Sequence, residues 1–481
     1  MPAPTQRIVK PLPELPLELW LEIFQFATYV HRSTSIGPLD PFSPRRTSNN
    51  VMATNTRALS IRTKLALVLV CKEWKMMTER FLYEHLVIRS PTRASAVLNA
   101  LIASRSHLSD DAIDIGHGRW PSHIEIFTHA RGSNDMRFLR TLFRIFQCCP
   151  NVRYLSGSWM HPLPIEFLEA IARLYGSTLQ GLYWDEVNIT VPFTSSTPHF
   201  LCNFKELRVL DLRHYVGCGV DQLSSSPVPQ PILPSVTDLL VSARQESLQM
   251  ASFLALPQLR NLTLCITLHD CHSFKPRVPY SDIRHFLKKH GHSLVSVDLP
   301  TPAPYLEPEP DSSSSRHTVE HVKPDLFLEP DICPNLISLV YPITSEPLSS
   351  QIHTNIRRIG LRGVSKAEEL YPDKQSSTKS HLEGITAKLY PRLQEVRTIG
   401  YLVDAETDPL IKDIFIWWVE KFESNGINLL DGEGVLWMYT DPVEVGSEGF
   451  KHFPRVNDLD YKLQRSNKTL LAPSATQGVS S

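Results

Sequence analysis

Leu207-Arg208-Val209-Leu210-Asp211-Leu212 and Leu259-Arg260-Asn261-Leu262-Thr263-Leu264 are written in one frame, Leu-x-x-Leu-x-Leu. The last three positions alternate, so two Leu point to one side of a short strand and the residue between them to the other. One copy would carry no weight. The frame recurs, with conservative replacements, from Val152, Leu179, Leu207, Val236, Leu259, Leu294, Leu336, Ile356 and Leu393. Successive offsets are 27, 28, 29, 23, 35, 42, 20 and 37 residues. Such a spacing belongs to a repeated supersecondary unit.

The residues around each copy share an order: an amphipathic segment, a small turn, then the strand. Residues 137–148 precede Cys149-Pro150-Asn151-Val152, and 165–175 precede Gly176-Ser177-Thr178-Leu179. Residues 281–290 precede Gly291-His292-Ser293-Leu294, and 381–389 precede Tyr390-Pro391-Arg392-Leu393. One such unit cannot bury its own apolar side, so neighbours must stack into a solenoid. The alternative is an ordinary α/β domain with short apolar strands. Over about residues 120–430 the chain is similar to the irregular leucine-rich repeat proteins. The asparagine of the strictest repeat pattern is mostly absent, so a regular asparagine ladder is not expected. The longer offsets hold insertions near 222–234 and 301–318. Residues 411–422 (Ile414, Phe415, Trp417, Trp418, Phe422) form a strong helix, in which one Trp packs inward and the other covers a neighbouring surface or the array's end. Residues 431–481 read as a C-terminal cap and a mobile tail.

The N-terminal part reads differently. Leu15-Pro16-Leu17-Glu18-Leu19-Trp20-Leu21-Glu22-Ile23-Phe24 opens a helix over about 16–30 that is apolar on more than one face. Such a helix needs burial on more than one side, one of them against a partner. Residues 31–60 are rich in Ser, Thr, Asn, Pro and Arg and read as an inserted mobile loop. A largely buried helix is expected over 62–83, with Leu67, Val70, Cys71 and Trp74 on one face. His85-Leu86-Val87-Ile88 reads as a strand, and 93–104 as another helix.

Leu15-Pro16-x-Glu18-Leu19-x3-Ile23-Phe24, then Val70-Cys71-Lys72-x-Trp74, then Leu82-Tyr83-x2-Leu86, resembles the F-box motif over about residues 12–90. The family joins the two halves by a short connection, whereas this chain inserts about thirty residues; closure entropy grows slowly enough to tolerate that, at about 0.6 kcal/mol per doubling. The resemblance implies an α/β chain with a small N-terminal helical module (12–90), connecting helices and a first irregular repeat (91–150), and a leucine-rich solenoid (151–430). It implies a substrate receptor of an SCF-type cullin-RING ubiquitin ligase, whose module docks on a Skp-type adaptor while the solenoid binds a protein target. Leu15, Pro16, Leu19, Ile23, Phe24, Leu67, Val70, Cys71 and Trp74 would then share the adaptor contact and the module's own core, in a division left open. A repeat scaffold whose N-terminal helices merely cap the array is the rival.

The totals agree with a globular intracellular protein. Of 481 residues 42% are hydrophobic and 21% charged, and the net charge of −1 gives no drive toward nucleic acid or anionic membrane. Eight scattered Cys form no Cys-x-x-Cys pair, which favours reduced thiols in the cytoplasm or nucleus. No signal peptide or membrane span is expected. Asn188, Asn261 and Asn467 open glycosylation matches that would be fortuitous without a secretory route.

Signatures of catalysis are missing: no phosphate loop, dinucleotide turn, His-Glu-x-x-His or nucleophile elbow. No enzymatic activity and no cofactor are therefore expected. Cys265, His269, Asp270, Cys271 and His272 offer metal donors, but without a second ligand pair at zinc spacing they read as a strand end and a polar connection. Cys148-Cys149 read as small buried hydrophobes, and Cys71 as a packed one. Alternation places Tyr183, Asp185, Asp211, Arg213, Asp298, Arg358, Arg362 and Arg397 on the concave sheet face. With Arg gathered toward the C-terminal repeats, this face is expected to favour an acidic or phosphorylated segment of a target, or else to be merely solvated.

Overall fold

A computed structural model describes residues 15–28, 40–42, 57–105, 115–127, 135–159, 163–186, 200–213, 215, 232–266, 278–300, 321–329, 331–349, 351–364, 370–372, 375–403 and 409–439. They build one parallel sheet whose strands stand in the order of the chain. The strands are β1 (His85–Ile88), β2 (His123–Phe127), β3 (Tyr154–Trp159), β4 (Gly181–Glu186), β5 (Val209–Leu212) and β6 (Asp238–Ser242). They continue as β7 (Asn261–Cys265), β8 (Ser296–Asp298), β9 (Ser338–Pro342), β10 (Arg358–Arg362), β11 (Glu395–Ile399) and β12 (Asn428–Leu430). This is a helix/strand repeat solenoid.

The register explains the sequence frame. Leu86, Ile124, Leu155, Leu182, Leu210, Leu239, Leu262, Val297, Leu339, Ile359, Val396 and Leu429 are paired in line, one per strand. All are buried. An apolar residue at this one position of every unit makes a continuous seam, and burial there is the main stabilising term. Just before each strand, one carbonyl accepts two amides of the next unit: Glu84, Ser122, Arg153, Gln180, Arg208 and so on to Arg357. Backbone groups at the turn are thereby satisfied without any particular side chain.

Three asparagines nevertheless bridge neighbouring units, without forming a continuous ladder. Asn151, Asn335 and Asn355, each one residue before its apolar frame, donate Nδ2 at 2.8 Å to the carbonyls of Arg119, His292 and Pro334 in the preceding units. The strict pattern places its asparagine elsewhere, which is why the frame did not reveal them.

Helices α4 (Pro91–Ala103), α5 (Met136–Cys148), α6 (Ile165–Tyr175), α7 (Gln245–Phe253), α8 (Tyr280–His290) and α9 (Ser377–Gly384) turn apolar faces to the seam. The last ends at Gly384, short of the expected residue 389. Tyr175 of α6 donates its hydroxyl to the carbonyls of Phe146 and Cys149, tying two units together. Cys148 and Cys149 are free and buried, and burial pushes the Cys149 thiol up to about 12. Helix α10 (Pro409–Glu423) covers the C-terminal end: Trp418 is buried and donates to the Leu370 carbonyl at 2.7 Å, while Trp417 packs at its edge.

Two expectations about the N-terminal part are corrected. The solenoid, bounded at 151 in the expectation, reaches back to His85: the expected strand there is β1, and it pairs with β2 in the common register. The helix expected over 62–83 is two helices, α2 (Arg57–Val70) and α3 (Lys72–Tyr83). Cys71 adopts an extended backbone between them, and its Sγ accepts the Trp74 amide at 3.4 Å. Helix α1 (Leu17–Thr28) precedes them. Residue Glu84 alone separates α3 from β1. Of the insertion expected near 222–234, residues 232–234 are ordered into the array, with Leu233 buried and Ile232 bridging Ala255, while 222–231, the insertion at 301–318, and His269, Asp270, Cys271 and His272 lie outside the described residues.

Candidate functional site

Two surfaces collect the residues singled out in the sequence. The first is on α1–α3. Phe24 is the one large apolar side chain of α1 that is buried, and its ring meets Trp74 at 4.8 Å, while Trp20 stacks on Phe24 at 5.6 Å and meets Trp74 at 5.1 Å. Ser60 of α2 adds a 2.6 Å bond to the Thr28 carbonyl. Phe24 and Trp74 are thus internal staples between α1 and α3, with aromatic edge-to-face contact adding to area burial.

The other singled-out residues of this region face out. Leu15, Leu19, Ile23 and Val70 are exposed, as are Pro16 and Cys71, and Leu67 is half-buried. The largely buried α2 and the packed Cys71 expected from periodicity are therefore not observed: Leu65, Leu69 and Val70 are open, and Cys71 is an exposed helix cap. Leu17, Phe26, Leu59, Leu69 and Met76, which were not assigned to the adaptor contact, are exposed too. Ten of the twenty exposed large apolar side chains among the described residues fall within 15–76, so this region carries far more than its share.

The second surface is the concave face of the sheet. Register puts Tyr183, Asp211, Asp298 and Arg397 in one row and Arg358 in the row before it. Asp185, Arg213 and Arg362 follow one step on. Their charges are largely spent on one another. Arg213 grips Asp211 through Nε and Nη2 at 2.7–3.1 Å, and Arg362 reaches across β9 to Asp298 at 3.0 and 2.8 Å. Burial disfavours the Arg213 charge, but the Asp211 carboxylate outweighs it and holds the guanidinium above its usual range. Burial, with Asp185 and Asp211 nearby, raises the Tyr183 phenol. Asp185 accepts from Ser158 at 2.9 Å.

Arg397 is 3% exposed and is held by the carbonyls of Asp431 at 3.2 Å, Gly432 at 2.8 Å, and Phe42. Arg358 donates to Ser338 Oγ at 2.9 Å and faces Asp40 at 3.6 Å. Asp40-Pro41-Phe42, from the stretch expected to be a mobile loop, is therefore docked on the sheet. For these three residues the expectation is corrected, because Phe42 finds an apolar site, where it is 5% exposed against Val340 and Ile399; residues 31–39 and 43–56 lie outside the described residues.

At the other end of this face His85 stacks on His123 at 4.3 Å and meets Glu125 at 3.1 Å, while His123 bonds Ser156 at 2.9 Å. These were missed because β1 and β2 do not carry the Leu frame. Cys265 is buried, which pushes its thiol up to about 12. Among the described residues no group of three or more His, Cys, Asp or Glu is placed to hold a metal ion, and no helix is long and apolar enough to cross a membrane.

No family model matches the chain, and no curated protein matches it. Thirty-one chains of solved structures do. One, in a crystal structure of the Rad7 and Elc1 complex of yeast, is 11% identical at a TM-score of 0.24, the match covering 72% of this chain and 94% of that one.

Proposed function

We propose that this chain is the target-binding subunit of an intracellular SCF-type cullin-RING ubiquitin ligase. Helices α1–α3 hold a Skp-type adaptor, and through it the cullin, while the concave face holds a protein target. The observation that carries this reading is the concentration of exposed Leu, Ile, Phe, Val and Met on α1–α3, next to F-box-like residues whose Phe24 and Trp74 are turned inward. Of the nine residues first assigned to the adaptor, Leu15, Pro16, Leu19, Ile23, Val70 and Cys71 are accessible to it and Leu67 is partly so. The chain does no covalent chemistry and takes no cofactor; it acts by raising the effective concentration of the target beside a ubiquitin-charged enzyme.

Ile23→Glu with Leu69→Glu tests this. Both side chains are exposed, so the fold is kept, and co-purified Skp-type adaptor is expected to fall at least tenfold. Undiminished adaptor binding would sink the assignment. A scaffold reading draws on one observation, the single residue Glu84 between α3 and β1, which makes α3 serve as the first helix of the array. It predicts no adaptor capture by the unmodified chain.

A further inference from the structure

The apolar site that receives Phe42 is cut into the strand row by a missing side chain. Gly360 lies between Val340 and Arg397 in the register of the concave face. A Cβ there would stand 2.5 Å from Ile399 Cδ1 and 2.9 Å from Val340 Cγ2. Without one, Val340 and Ile399 close over Gly360 and form an apolar floor for the Phe42 ring. Above the floor, the Arg358 guanidinium lies 4.6 Å from the Phe42 ring centre. The rim offers two fixed donors: Arg358 toward a carboxylate, and Arg397, clamped by the Asp431-Gly432 turn, toward a backbone carbonyl. Asp40 and Phe42 meet these features together. The Asp40 carboxylate accepts the Phe42 amide at 3.0 Å, which sets the segment in a tight turn with the ring pointing down.

Floor, cation over the ring and carbonyl donor make a recognition site for a short peptide, with specificity in the aromatic pocket and orientation in the two Arg. An internal segment held by the side chains of Val340, Arg358, Arg397 and Ile399 and joined to the body through sequence rich in Ser, Thr, Asn, Pro and Arg is a competitor of high effective concentration, not an irreversible plug. We infer that the Gly360 notch binds a segment of the target protein carrying Asp or Glu followed two positions later by an aromatic residue, and that Asp40-Pro41-Phe42 occupies the notch in its absence. This deepens the proposed target-binding role of the concave face and rests on it. The notch does not involve α1–α3, so it is tested in the purified full chain without adaptor.

The probe is a fluorescent peptide with the sequence of residues 37–45, Gly-Pro-Leu-Asp-Pro-Phe-Ser-Pro-Arg. The chain carrying Asp40→Ala and Phe42→Ala is expected to bind it at least tenfold more tightly than the unmodified chain. Adding Gly360→Val is expected to abolish that binding, and a probe with the same two Ala changes should not bind. Equal binding by the opened and unmodified chains, or none by an opened chain with unchanged circular dichroism, overturns the inference. The unmodified chain gives a second readout that no folding defect can obscure. A saturating, isotopically heavy probe should speed hydrogen exchange at residues 40–42 while β10 and β11 stay protected; unchanged exchange at 40–42 overturns the inference. Adaptor pull-down on the same samples scores the ligase reading separately, since neither notch variant touches α1–α3.

Discussion

At the scale of single residues, glycine positions decide how closely units approach. Gly291 follows α8, and a Cβ there would overlap the carbonyl oxygen of Ile332 in the next unit; Gly118 stands in the same relation to Cys148. A backbone oxygen cannot swing aside as a long side chain would, so Gly291→Ala is expected to cost about 2 kcal/mol. The urea midpoint checks it, and an unchanged midpoint would show that the units slide apart freely. The same scale explains what could be read of the Arg residues. Alternation along a strand was enough to place Arg213, Arg358, Arg362 and Arg397 on one face. It could not tell which of them already had a carboxylate, because Asp298 becomes the partner of Arg362 only through the register of β8, β9 and β10. Asp40-Pro41-Phe42 was illegible for a related reason: three residues carry no period, and the groups that hold them lie about 300 positions away or more.

At the scale of elements, strands whose frame begins with Leu, Ile or Val announced themselves, and β1 was legible from its apolar run His85–Ile88, whereas β2 and β12 were not. In β2 the frame opens Pro121-Ser122-His123-Ile124, and in β12 the strand is three residues long, so neither stood out from ordinary sequence. The joint at Cys71 was hidden because apolar spacing runs through it without a break; only the cap geometry reveals two helices. Helix α10 was the clearest element, and its function as an end cover can be measured. Trp418 fills the space between α10 and the segment at Leu370, with both its ring and its N–H engaged. Trp418→Ala is expected to cost about 4 kcal/mol, removing a large buried ring and leaving a carbonyl unpaired. Trp417→Ala, at the edge, should cost well under half of that. Equal losses in thermal unfolding would mean that the two rings share the burial.

For the whole molecule, the seam runs without interruption from Leu86 to Leu429, so local ionisation in one unit is felt by its neighbours. Burial lowers His290 to about 4, with Lys289 adding to the effect, and also lowers His353 and His381. All three belong to the C-terminal half of the array. Their folded values lie below that of an unfolded histidine, about 6.5. Between the two values the unfolded chain binds more protons, so stability is complete above about pH 6.5 and falls as pH drops through this window. For His290 alone the loss at pH 5.5 is roughly 1 kcal/mol. The melting temperature should therefore fall from pH 7.5 to pH 5, with hydrogen exchange rising first in the C-terminal half, and His290→Gln should flatten the trend. A pH-independent melting temperature would show these rings to be solvated.

The junction at Glu84 makes the array a ruler. With one residue between α3 and β1, α3 is joined directly to the sheet, and every later strand stands at a set number of spacings from it. The notch on β10 is nine strands beyond β1, about 43 Å along the sheet at the usual separation of about 4.8 Å. Whatever docks on the helices and whatever docks in the notch are thus held at one distance and bearing. Duplicating or deleting a unit between them would shift that distance by a single strand step and leave both docking surfaces intact.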